Sequence, residues 1–107
     1  MEDSSTRKWY RVVIEVKEVR GYCPVYKVGD RIVVEKFYVD TARSSNICMH
    51  ALVSMATLLS AFMKGYSAKL LGIGDRDDIG YVQCPDPGPP YTRGGTVIFE
   101  LKREVVE

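Results

Sequence analysis

From Tyr10 to Lys17 the chain alternates, with Tyr10, Val12, Ile14 and Val16 apolar and Arg11, Glu15 and Lys17 charged between them. A period of two sends successive side chains to opposite faces, so residues 9–19 read as a strand with one buried face. Val13 breaks the alternation and marks an opposite face that is partly covered. Gly21-Tyr22-Cys23-Pro24 interrupts the strand, and Gly29-Asp30 signals a turn. Residues 31–39 are rich in β-branched and aromatic side chains and predict a second strand, antiparallel to the first across a connection too long for a tight hairpin.

Polar residues fill 40–46, where Ser44 or Ser45 is placed to cap a helix. Nothing breaks a helix from 46 to 64, and Gly65 is a natural terminator just past it. His50, Ser54, Thr57 and Lys64 fall on one narrow polar stripe, while Ile47, Leu52, Met55, Leu59 and Phe62 are among the apolar residues around it. A surface helix on a single sheet carries a wider polar face than this. The expectation is a long hydrophobic helix covered on two sides, by the sheet and by a second copy of the chain, so that residues 46–64 form a homo-oligomer interface.

Residues 66–80 are irregular, 81–84 predict a short strand, and Pro85-Asp86-Pro87-Gly88-Pro89-Pro90 excludes regular structure. Thr96 to Arg103 alternates again and closes the chain as a strand. The expected fold is therefore α+β in the order β-β-α-β-β. It has a mainly antiparallel sheet of three to four strands and one helix packed on a face. One domain is expected over 9–107, behind a flexible tail at 1–8.

Composition sharpens this outline. A chain of 107 residues is one domain's length, long enough to bury roughly 60–70% of its unfolded surface and to fold without a metal or disulfide staple. Fifteen basic and 14 acidic residues leave a net charge of +1. The Arg7-Lys8 and Lys102-Arg103 clusters sit beside carboxylates and read as solvated strand edges, so nucleic acid is not an expected partner. Ile47 to Met63 is too short and too polar for a membrane span. The polar start Met1-Glu2-Asp3 carries no signal peptide, and a cytoplasmic location is expected. Asn46 and Gln83 are the only amide side chains among many charges, a thermophile tendency. Hyperthermophile cytosols are also where intracellular disulfides persist.

The candidate chemistry is Cys23, Cys48 and Cys84, each at an expected element end where segments can converge. Proline after Cys23 and Cys84 biases both toward extended backbone, and a thiolate at Cys48 would be favoured by the helix dipole. Three readings stay open. The thiolates, with His50 or Asp86 as fourth ligand, bind zinc or iron. They are redox thiols. Or they are small hydrophobes in a core. No Cys-x-x-Cys pair is present, and Cys48 and His50, two residues apart, would point about 200° apart on a regular helix.

Other motifs yield structural readings. Asp30 reads as a turn residue, and Asp86 as a cap for loop amides or a group facing a ligand. Gly72-x-Gly74-Asp75 lacks the Lys-Ser/Thr and helix of a phosphate loop. Trp9 and the tyrosines read as packing residues. No catalytic constellation and no small-molecule ligand follows from the residues.

Gly21-Tyr22-Cys23-Pro24, Lys27-Val28-Gly29-Asp30, Cys48, Cys84-Pro85-Asp86 and Val97-Ile98-Phe99 running to Arg103 stand in that order. Together they resemble a family of short uncharacterised prokaryotic proteins with the pattern Gly-x-Cys-Pro, Lys-x-Gly-Asp, Cys, Cys-Pro-Asp and Val-x-Phe-x-x-x-Arg. The resemblance covers about residues 10–104 and maps the family's shared cysteines onto Cys23, Cys48 and Cys84. In that family the central cysteine is often followed by proline, whereas Met49 stands here. The resemblance implies a shared pattern and no activity.

Overall fold

A computed structural model describes residues 8–106. The expected tail at 1–8 therefore lies outside the described residues except for Lys8, which is exposed. Five strands form one antiparallel sheet: β1 (Tyr10–Gly21), β2 (Arg31–Glu35), β3 (Tyr38–Val39), β4 (Ile79–Gln83) and β5 (Gly95–Val105). Their spatial order is β3-β2-β1-β5-β4, so the first and last strands are central neighbours. A 3-10 turn (Thr41–Arg43) and one helix, α1 (Met49–Met63), connect β3 to β4.

Among the described residues the α+β class, the antiparallel sheet and the one helix stand as expected, but the sheet has five strands rather than three to four. The extra strand arises where one strand was expected over 31–39. Lys36 adopts φ 55, a left-handed conformation, and the Lys36-Phe37 turn folds the segment into the β2–β3 hairpin.

The alternation sets the sheet's two faces. Val12, Ile14 and Val16 of β1 share the inner face with Ile32 and Val34 of β2, and with Val97, Phe99 and Leu101 of β5. Against them α1 packs Ala51, Met55, Leu59, Phe62 and Met63. A bulge at Lys17 shifts the β1–β5 register, letting Val19 face the same core past the break. On the other face charges neutralise one another across strands. Glu15 and Glu100 stand directly opposite, Lys17 reaches both at 3.2 and 3.8 Å, and Arg31 pairs with Glu15 at 3.4 Å.

Neither Ser44 nor Ser45 caps α1. The Ser44 and Ser45 hydroxyls instead accept the Val33 and Arg31 amides at 2.9 and 3.2 Å, closing the outer edge of β2. The helix begins three residues later than expected. Its N-cap, Cys48, makes no side-chain cap bond. It ends in a Schellman motif, with Gly65 at φ 102, Gly65 N–H donating to Phe62 O at 3.1 Å and Tyr66 N–H to Ala61 O at 3.3 Å.

Arg103 overturns its reading as a solvated strand edge. It occupies the next inward position after Leu101, with a side chain only 4% exposed. Its Nη1 donates to the carbonyls of Phe62 and Tyr66, both at 2.7 Å, and its other nitrogens hold Asp77 O and Asp78 Oδ1. The guanidinium lies over the Phe62 and Tyr10 rings at 4.4 and 4.9 Å. One side chain thus binds a carbonyl of the helix's last turn and one just past its end, and ties α1 to the last strand. The tyrosines divide differently from the packing role expected of them: Tyr26 is buried, while Tyr22, Tyr38, Tyr66, Tyr81 and Tyr91 are exposed.

Candidate functional site

The three cysteine-bearing segments meet at one end of the sheet. Gly21, the last residue of β1, pairs with Gly95, the first of β5, and Cys23 follows two residues later. Cys84 continues β4 by one hydrogen-bonded step, its N–H donating to Val97 O at 2.9 Å, and Val97 in turn faces Val19 of β1. Cys48 stands at the N-terminus of α1. All three are free, half-buried and packed against the same core.

Tyr26 links two of them. Its backbone N–H donates to Cys23 Sγ at 3.3 Å, and its phenol oxygen accepts the Cys48 N–H at 2.8 Å. The ring meets Phe99 edge to face, centroids 5.5 Å apart. Burial pushes the phenol's pKa up, and the hydrogen bond from Cys48 opposes that shift. Cys84 is held by backbone alone. Its Sγ accepts the Val97 N–H at 3.3 Å and donates toward Gly95 O at 3.5 Å.

Asp86 organises the proline-rich loop. Oδ1 accepts the Gly88 N–H at 2.9 Å and the Thr92 hydroxyl, and Asp86 O accepts the Thr96 hydroxyl at 2.7 Å. The Thr92 and Gly88 hydrogen bonds hold its carboxyl below the ordinary range, with a further small contribution from His50. The second carboxylate oxygen lies against Gly94, where any side chain would collide with it. His50 is exposed on the first turn of α1. Among the described residues, no group of three or more His, Cys, Asp and Glu side chains is arranged to hold a metal ion.

The remaining motif residues serve the same end of the fold. A Cβ at Gly21, already at φ 85, would stand 2.9 Å from Gly94 O, so the β1–loop crossing needs glycine there. Asp30 Oδ2 accepts the Lys27 N–H at 3.0 Å and closes the turn before β2. A shallow groove of about 340 Å³ opens beside Cys84, between Ser54 and Leu58 of α1 and residues 81–85. No charged side chain lines it.

Two residues matter here that are not among the candidates for chemistry, Tyr26 and Arg103, the second of which closes the Val-x-Phe-x-x-x-Arg pattern. Tyr26 carries no local signal, because its partners lie 3 and 22 residues away. Arg103 did carry one: the period of two through Val97, Phe99 and Leu101 points it inward. No family of known proteins, curated protein or solved structure matches this chain. Among the described residues no helix is long and apolar enough to cross a membrane.

Proposed function

We propose that this chain is a non-catalytic assembly module that associates with copies of itself through the outer face of α1. In this reading Cys23, Cys48 and Cys84 are half-buried packing residues of the loop end. One observation carries it. At the chain's overall charged fraction of 27%, a 15-residue helix would hold about four charged residues, yet Met49–Met63 holds none. Its outward positions are Met49, His50, Val53, Ser54, Ala56, Thr57 and Ser60. Met49 is 78% exposed and Val53 68%. Burying each such side chain against a partner returns roughly 1.5–3 kcal/mol that the isolated chain forgoes.

The motif residues support the same reading, because each has a structural task within the fold: Gly21 at a close crossing, Asp30 and Asp86 in turns, Arg103 as a staple. The test is Val53→Glu. The variant should keep its circular dichroism spectrum and sediment as a smaller species than the parent chain. A parent and variant of equal sedimentation coefficient would defeat the proposal.

A second reading, zinc or iron binding or redox chemistry at Cys23, Cys48 and Cys84, is favoured by the amide donors aimed at Cys23 Sγ and Cys84 Sγ. Turns that point N–H groups at sulfur suit a ligating sulfur. This reading requires the Cys-Pro loops to carry the sulfurs together. Stoichiometric metal in the purified protein, with thiols that become reactive on chelation, would select it over the first.

A further inference from the structure

We propose that the outer edge of β4 at Gln83, with the groove beneath it, takes an extended peptide segment of another protein as an added strand. The alternation of β4 decides which way its backbone groups point. Cys84 N–H donates to Val97 O of β5, whereas Tyr81 N–H donates the other way, to Ile73 O at 2.7 Å. Gln83 is in phase with Tyr81, so its N–H and C=O, together with the Tyr81 C=O, face away from the sheet. These three groups meet no partner among the described residues, and Gln83 is exposed. The rest of the sheet's edge is closed. Ser44 and Ser45 cover β2, β3 is two residues long, and Ile73 covers β4 as far as Tyr81. The open stretch Tyr81-Val82-Gln83-Cys84 carries no charged side chain, the usual deterrent to strand pairing.

Backbone donors and acceptors at strand spacing call for another strand, and the groove says which side chains it brings. A residue opposite Gln83 keeps its side chain on the outer face, and its two neighbours in the added strand turn inward. There they enter the groove of about 340 Å³ against Met55, Leu58 and Ile73. The lining offers a charge no partner, so the occupant is aliphatic at both inward positions and free of proline where its amides must donate. A second copy's β4 fits the edge less well. Paired about Gln83, it would set the Tyr81 C=O against Pro85, which has no N–H. Paired about Val82, it would need the Tyr81 N–H that Ile73 already holds. The groove lining includes neither Met49 nor Val53, so this edge is separate from the outer face of α1.

The capped peptide acetyl-Thr-Val-Thr-Val-Thr-amide, added at millimolar concentration to the full chain, tests this by amide hydrogen exchange. Exchange of the Gln83 amide should slow about tenfold or more. The same peptide methylated on its three central amide nitrogens keeps both valines but loses its donors there, and it should give no slowing. Gln83→Pro removes the outward N–H at a position where an edge strand tolerates proline. That variant should keep its circular dichroism spectrum and bind the unmethylated peptide about tenfold more weakly, read from the Val82 resonances. If Gln83→Pro fails to fold, the methylated peptide still decides. No slowing with the unmethylated peptide, or equal slowing with the methylated one, would overturn the proposal. A Gln83 amide that becomes protected in the chain alone as its concentration rises would place a second copy on the edge and overturn it equally.

Discussion

Tyr26 caps α1 from outside the helix: its phenol oxygen, reaching across from the first Cys-Pro loop, accepts the Cys48 N–H at 2.8 Å. The N-cap itself offers no side-chain acceptor, and the phenol takes the amide of the N-cap residue rather than the N2 or N3 amide that a capping serine or aspartate would accept. It also makes the Cys23 loop and the helix N-terminus a single unit.

Removing that oxygen leaves the Cys48 amide without its partner. Tyr26→Phe should lose about 1–2 kcal/mol in urea unfolding, the cost of an unsatisfied buried donor. Because the ring and its contact with Phe99 remain, the sheet should persist in the circular dichroism spectrum. A loss below a few tenths of a kcal/mol would show that water replaces the phenol.

Arg103 should prove costlier. Arg103→Met keeps the bulk but abandons the carbonyls of Phe62, Tyr66 and Asp77. A destabilisation of about 2–4 kcal/mol is expected in the same denaturant series. An unchanged midpoint would contradict its role as the staple between α1 and β5.

These two residues mark how much of the fold was legible in the sequence. The alternation of β1 and β5, and the unbroken helical stretch with Gly65 behind it, are local signals, and they placed those elements within a few residues. The β2–β3 hairpin was not legible, because its turn rests on Lys36 in a left-handed conformation rather than on glycine or asparagine. Ser44 and Ser45 stand just before the helical stretch, where a hydroxyl of one or the other usually caps. Their use on the edge of β2 depends on a strand 11 to 14 residues away. The placement of the two Cys-Pro segments at one end of the sheet depends on the β1–β5 register, a long-range pairing that no local pattern encodes.

Acid should weaken the fold through Glu35. The Arg11 guanidinium beside it, with Arg43 adding to the effect, holds its carboxyl below its ordinary value of 4.5. A depressed carboxyl contributes stability that is complete above the unfolded value and is lost as pH falls through the folded one. Glu35→Gln should therefore flatten the decline in stability below about pH 4.5. Parallel pH profiles for parent and variant would remove Glu35 from the account.

The cysteines should behave as packed side chains. With all three half-buried against the core, thiol titration of the native chain should run roughly tenfold or more slower than in denaturant, since exposure requires local opening. Equal rates in both conditions would instead make them open, reactive groups.

The account turns on whether α1 is covered by a second copy. Static light scattering of the unmodified chain at micromolar concentration answers that most directly. The account predicts a particle of twice the 12.1 kDa chain mass. A particle of 12.1 kDa that holds across the concentration range would contradict it.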